Sequence, residues 1–455
     1  MKKNIFLILL SILSFSALAQ PPIYQVSICK PASTGYYFLS NTESLMILDN
    51  AGTLIYYKTG TLIYYKRGNN FSNFMIQPNG IMTYAEFNAF IFMDSTFSVF
   101  DSIKCKNVPL TNYHDLRILP NGHFLLMGTD SVMMNLSGNN FWQAKAVGDT
   151  ANVKYVVVQE QDSARNVVFE WRAKDYYSFD DADTFAITSR DLIVDWTHPD
   201  AVEADADGNI LLSNRNFNEI TKINRTTGAI IWRFGGKQNQ FRFINCPVPF
   251  YGQHDIRRIA NGHITLFDNG NHNTPHGARA LEFELDEKNK TAKLKWSYTF
   301  DSTMHSTRQG NVQRLANSNT LINYGNTAGN ANSQISFLVV NPKGEIIFEL
   351  EGLHSYRAFN YPVLPWQLHR PQITCIDSAG VTYLDAGTGY ASYRWSNGDS
   401  TQIIPVTLDG SYSVFVPYGE GGFISSEKLV VHELLGCSGN LNPVKKKKQV
   451  QNKKQ

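Results

Sequence analysis

Short segments in which apolar and polar residues alternate run along most of the chain, separated by turn sequences such as PNG, DADG, RTTG and PKG. Alternation with period two marks half-buried β-strands, and no long stretch carries the 3.6-residue period of an amphipathic helix. Aligning the turns divides the chain into six units, 37–66, 74–105, 114–171, 198–234, 254–298 and 308–350. The fourth shows the pattern most plainly: AVEAD, a turn, NILLSN, then EITKIN, a turn, and AIIWRF. Four strands per unit in tandem predict an all-β fold, a six-bladed β-propeller over residues 20–365. After Pro362 and Pro365 the spacing changes, and short strands around YRWSNGDSTQIIPV and GSYSVFV predict a small Ig-like β-sandwich over 371–435. One irregularity lies in the first unit, where GTLIYYK at 52–58 is repeated at 60–66. An even shift keeps the same faces of a strand inward, so one copy is expected in the blade and the other in a hairpin or loop.

Composition adds compartment and excludes some partners. Lys2 and Lys3, the apolar IFLILLSILSF and Ala17-Leu18-Ala19 read as a signal peptide over 1–19, too short to span a bilayer. An exported, periplasmic or extracellular protein with no membrane span is expected. Net charge is +2, so a general affinity for nucleic acid is not indicated, and the one basic run, in 436–455, reads as a disordered tail. Of five cysteines, Cys375 and Cys437 bracket the C-terminal segment and form a plausible pair in an oxidising compartment. The sequence leaves homo-oligomerisation open.

Candidate chemistry comes from the unit starts. His114-Asp115, His198-Pro199-Asp200 and His254-Asp255 open three inner strands, and Arg308-Gln309-Gly310-Asn311 opens a fourth. In a propeller these positions converge on one mouth of the central channel. Asp115, Asp200 and Asp255 are expected near that mouth, where a carboxylate can fix an imidazole's tautomer. Arg215, after the second strand of the fourth unit, could reach the mouth and grip an anion, and Arg279 lies near it with the loop residues His272 and His276. His123 and His263 sit in turns at the other end of the inner strands. Histidines and arginines around one channel suit a tetrahedral anion with a transferable centre: imidazole as nucleophile, a second imidazole as acid or base, guanidinium on the oxygens. A divalent metal is the rival, but no compact H-x-x-x-H is present and the arginines would repel a cation. No cofactor is expected.

DWTHPDAVEADADGNILLSNRNFNEITKINRTTGAIIWRFGG, followed by YGQHDIRRIANGHITLFDNGN and RQGNVQRL, resembles the bacterial arylsulfate sulfotransferases that work without a nucleotide sulfate donor. The resemblance covers about 37–350. It implies a six-bladed propeller that moves a sulfuryl group from an aryl sulfate to a phenol through a sulfohistidine. By position, His254 is the implied nucleophile, His198 and Arg215 the pair that binds the sulfuryl oxygens, and His114 the histidine that assists proton transfer. Arg308, Asp200, Asp255, Asn311 and Arg279 complete the expected substrate-binding set. Where the family pattern has asparagine two residues after the His198 position, this chain has Asp200, a carboxylate that would repel the substrate unless protonated or turned onto an arginine. The family's short-range disulfide has no counterpart, because Cys246 is the only cysteine near His254. The 371–435 segment resembles accessory Ig-like modules of exported Bacteroidetes proteins. Two other readings stay open: a propeller that binds an anionic ligand or partner without turnover, and a metal-dependent propeller hydrolase.

Overall fold

The computed structural model describes residues 21–41, 43–60, 71–139, 149–184, 188–190, 193–271, 277–301, 305–328, 335–431 and 437. The expected signal segment, the second GTLIYYK copy beyond Gly60, His272, His276 and the tail apart from Cys437 lie outside them. The described residues are strands and turns with a few 3-10 turns and no α-helix.

Six sheets of four or more strands follow one another along the chain. In the fourth, Pro199–Ala204, Ile210–Asn214, Glu219–Ile223 and Ile230–Gly235 pair antiparallel in chain order, as the alternation predicts. Each sheet is apolar on both faces, and a separate buried cluster fills the space between each sheet and the next. Val158 and Trp171 meet Leu212 and Phe217 between the third and fourth sheets. Trp232 and Phe234 meet Leu266 and Phe283 between the fourth and fifth. Similar clusters join the fifth to the sixth, the second to the third, and the first to the second. Tyr37 and Leu48 of the first sheet pack on Phe337 and Phe348 of the sixth. The arrangement is propeller-like, with Ser72–Ile76, Leu110–Ile118, Pro199–Ala204, His254–Arg258 and Asn311–Arg314 innermost in the second to sixth sheets.

The first unit is built differently from the sequence expectation. Its innermost strand is Ala358–Tyr361, from beyond the sixth unit, paired antiparallel with Tyr36–Ser40. In exchange, Gln25–Cys29 becomes the outer strand of the sixth sheet, against Ile346–Glu351. The two ends of the propeller region are thus each hydrogen-bonded into a neighbouring sheet, so neither sheet can leave without breaking a strand pair.

The first GTLIYYK copy forms Leu54–Thr59. Its free edge is taken by Gly422–Ser425, followed by Val414–Tyr418 and Arg394–Trp395, so one seven-stranded sheet runs from the channel into the C-terminal region. Ile55 packs with Trp395, Val414 and Ile424 in the C-terminal core. Covering this edge removes a row of unpaired backbone groups that would invite aggregation. Cys375 and Cys437 form a disulfide, as expected from their positions; Cys29, Cys105 and Cys246 are free.

Candidate active site at the channel mouth

The inner strands begin with a local irregularity that aims their side chains. Register slips between Ser72 and Met75, Pro199 and Ala201, and His254 and Arg257. Asn73, His198 and Asp255 have φ of 54°, 44° and 54°. Asn, Asp and His tolerate this left-handed region better than other side chains, which accounts for these residue types at the bulges.

His114, His198 and His254 come together at the mouth. The rings of His114 and His198 lie 5.5 Å apart between centroids, and Tyr356 lies 5.5 Å from His114 on its other side. Each imidazole has a different partner at Nδ1. For His254 the partners are the Gly252 carbonyl at 2.9 Å and Asn269 Oδ1 at 2.7 Å, both acceptors, so Nδ1 carries the proton. Nε2 then holds the lone pair, and the Gln309 N–H donates to it at 3.0 Å. Asn269 Nδ2 donates to Ser306 Oγ and the Gln309 carbonyl, which fixes the direction of its oxygen. His114 Nδ1 meets Asn112 Oδ1 at 2.6 Å. His198 Nδ1 meets the Asp195 carboxylate. Burial, followed by its cationic neighbours, pushes His114 well below the usual imidazole range. Burial and then Arg215 do the same to His254. Both rings are therefore neutral at pH 7, the state a nucleophile needs.

Two glycines bracket His254. Gly252 has φ of 64°, and a Cβ there would lie 2.0 Å from Asn271 Oδ1; Gly310, after Gln309, has φ of 105° and would strike Phe267 at 2.4 Å. Only glycine lets the two backbone segments that touch the ring come this close.

Arg215 lies in a 3-10 turn over Arg215–Phe217 and donates to Asn216 Oδ1, Asn271 Oδ1 and the Thr307 carbonyl at 3.0, 3.4 and 3.2 Å. No carboxylate pairs with it among the described residues, and burial lowers its pKa. A buried guanidinium held only by neutral groups retains its attraction for an anion. Arg308, more exposed, lines a cavity of about 590 Å³ with Tyr113, Gln309, His354 and Tyr356. A second cavity, of about 210 Å³, is lined by His114, His198, Asp195, Lys154 and Tyr113.

The remaining expected site residues belong to the framework. Asp115 accepts from the Val202 N–H at 3.0 Å, and Asp200 from the Asp255 N–H at 2.8 Å, each carboxylate stitching one inner strand to the next. Asn311 exchanges both amide bonds with Ala358, at 2.7 and 2.8 Å. Asp255 pairs with Arg257 at 2.7 Å and Arg357 at 2.9 Å. Arg279 is spent on Asp268 and on the Val248 and Pro249 carbonyls, bracing the loop that leads to His254. Asp200 is fully buried, and burial raises its pKa to about 6. The Ser213 hydrogen bond and Arg357 oppose that rise. His123 and His263 sit in turns against Glu160 and Glu282.

Three residues of the site were not anticipated. Arg357 fills the centre of the channel and donates to Asn73 Oδ1, the His114 carbonyl and the Asp200 carbonyl at 2.8, 2.7 and 2.7 Å. Its signal was hidden because it precedes an inner strand that lies beyond the six units read from the sequence. Asn269 is visible only as part of LFDNGN. Asp195 stands three residues before His198, a D-x-x-H spacing that could have been noticed.

The histidines at the mouth do not form a group whose ligand atoms could share one ion. Among the described residues such a group is Cys375, Asp377 and Cys437, two of which are joined as a disulfide. No helix among them is long and apolar enough to cross a membrane.

Solved structures that resemble the fold share little sequence. A Bacteroides caccae protein of unknown function is 9% identical with a TM-score of 0.44, over 72% of this chain and 98% of that one. A catalytically inactive virginiamycin B lyase from Staphylococcus aureus, with quinupristin, is 11% identical with a TM-score of 0.35, over 80% and 95%. A putative 6-phosphogluconolactonase from Bacteroides fragilis is 9% identical with a TM-score of 0.36, over 72% and 98%. No curated protein matches the chain. The model of the arylsulfotransferase (ASST) family matches residues 27–361, which hold the inner strands of all six sheets, and the chain belongs to that family.

Proposed function

We propose that the protein transfers a sulfuryl group from an aryl sulfate to a phenol in two steps, through a sulfohistidine on His254. Family membership supports aryl sulfotransferase activity in general. The observation that carries the finer reading is the fixed tautomer of His254, with Nδ1–H held by Gly252 and Asn269 and a lone pair at Nε2. In the first step that lone pair attacks sulfur, the S–N bond forms, and the S–O bond to the aryl group breaks with its electron pair on the phenolic oxygen. In the second, an acceptor phenol attacks the sulfuryl group and the pair of the S–N bond returns to Nε2. The Gln309 N–H must swing off Nε2 before attack, and the displaced donor then faces the incoming sulfuryl oxygens. Arg215 and Arg308 neutralise those oxygens, and donors of this kind are each worth about 10²–10³ in rate. The proton of the aryl oxygen is handled by a histidine beside His254 at the mouth.

We further propose that the protein is exported, in keeping with the Cys375–Cys437 disulfide. The test of function is phenol release from an aryl sulfate with and without an acceptor phenol. Release that depends on the acceptor is expected. Equal release in its absence would mean transfer to water, and no release would defeat the reading.

A further inference from the structure

We propose that Asp195 is a positioning residue that holds a proton on His198, making His198, not His114, the acid and base of the transfer. The proposal rests on the sulfuryl-transfer reading for its chemistry and on geometry for the pair itself.

Asp195 ends a short strand, Ile193–Asp195, that adds parallel to the third sheet with Lys154 opposite Asp195. The turn to His198 is clamped at each residue. Asn216 Nδ2 donates to the Asp195 carbonyl at 2.7 Å, the Trp196 N–H to the Lys154 carbonyl at 3.2 Å, the Thr197 hydroxyl accepts from the Val156 N–H at 3.0 Å, and the Arg215 N–H donates to the His198 carbonyl at 3.0 Å. Trp196 and Thr197 are buried. Asp195 Oδ2 and His198 Nδ1 are therefore held together by a rigid loop, and His198 keeps its left-handed backbone because the loop leaves no alternative.

An ionised carboxylate can only accept, so His198 Nδ1 carries a proton and Nε2 is the atom free to exchange one. Among the described residues Nε2 of His198 has no hydrogen-bond partner, and the ring lines the cavity beside His114. The imidazoles share one cationic surrounding: His198 acts on His114 and His254, Arg215 acts on both of those and on Asp195, and Lys154 acts on Asp195. His114 rests on an amide and His254 on an amide and a carbonyl; His198 alone rests on a carboxylate. Burial pushes the Asp195 carboxyl up, but the charge and hydrogen bond of His198 outweigh it and hold it below the usual range. A second proton on His198 is thus balanced locally, whereas one on either of the others adds to an uncompensated positive cluster.

The proton follows the electrons. As the S–O bond breaks, the aryl oxygen takes the proton from His198 Nε2, leaving neutral His198 with Nδ1–H on Asp195. In the second step the acceptor phenol gives its proton to that Nε2 as its oxygen attacks sulfur.

Asp195→Asn keeps a hydrogen-bond acceptor and removes the charge; Asp195→Glu restores the charge. The imidazole N–H protons of the resting protein are observed by NMR and assigned with the His114→Asn and His198→Asn variants. In parallel, turnover is measured with aryl sulfates whose phenols leave well or poorly. The Nδ1–H proton of His198, donated to a carboxylate, should lie furthest downfield of the three and move upfield in Asp195→Asn. Turnover should fall about 10²-fold for the poor leaving group and less than about tenfold for the good one, with partial rescue by Asp195→Glu. An unmoved His198 N–H resonance, or a leaving-group effect that follows His114→Asn instead, would overturn the proposal. A shifted resonance without any sulfuryl transfer would uphold the pair and refute the function it was proposed to serve.

Discussion

Two rings of polar residues lie one step apart at the start of the inner strands and do opposite work. In the outer ring His114 and His198 line one cavity and Arg308 another, beside His254 and Arg215; burial keeps His114 and His254 neutral, and Arg215 has no carboxylate partner among the described residues. The inner ring, Asp115, Asp200, Asp255, Arg257 and Arg357, is closed on itself by ion pairs and strand-to-strand hydrogen bonds. On the proposed function, adjacent residues of one His-Asp motif divide between chemistry and cohesion. The lesson is that a repeated motif at a channel mouth need not be functional along its whole length. The residue next to a catalytic histidine can be what holds the blades in register while that histidine stays free.

If the division is right, substitutions in the outer ring remove activity and spare stability, and those in the inner ring do the reverse. The largest effect is expected for His254→Ala, a loss of about 10⁴-fold or more in kcat, as for removal of an attacking group, with a melting temperature close to that of the parent. Kinetics and calorimetry on the same preparation check both halves. Next is Arg357→Met, which leaves Asp255 buried without one of its two cations and should cost about 3–5 kcal/mol in denaturant unfolding. Its activity per folded molecule should fall far less than that of His254→Ala. Arg215→Ala should lower kcat by about 10²–10³-fold with little change in unfolding midpoint.

The smallest effect sharpens the comparison through pH. Asp200 titrates at about 6 in the folded protein against 3.8 as a free carboxyl. A carboxyl raised on folding binds more protons in the native state, so its contribution is full below 3.8 and is lost as pH rises through 6. Asp200→Asn should remove that loss. The variant should be more stable than the parent at pH 7.5, by up to about 3 kcal/mol, and the difference should vanish near pH 4. Thermal unfolding at the two pH values decides it; equal stability at both would place Asp200 in solvent contact and reopen its role at the substrate.

Much of this was legible in the chain. The strands of the fourth unit and the convergence of His114, His198, His254 and Arg308 follow from alternation and turn spacing. Asp200, Asp255 and Asn311 were expected on the substrate side because they adjoin the histidines. The bulges at Pro199 and His254, with φ of 54° at Asp255, break the alternation that such an expectation assumes. Arg357 was missed because the first sheet borrows its inner strand from the far end of the repeats, a pairing that local pattern cannot reveal. The joining of Leu54–Thr59 to Gly422–Ser425 is hidden for the same reason, since strand partners distant in sequence leave no periodic mark. Arg279 and Arg215 each follow the second strand of a unit, yet Asp268 captures Arg279 and no carboxylate among the described residues captures Arg215.

The most direct test of the central claim is the mass of the intact protein after brief exposure to an aryl sulfate without acceptor, quenched in base, with the modified residue located by fragmentation. One added sulfuryl group on His254, discharged by a later addition of phenol and absent from His254→Ala, is the predicted result. Turnover without any adduct, or an adduct on another residue that is equally formed and discharged in His254→Ala, would contradict it.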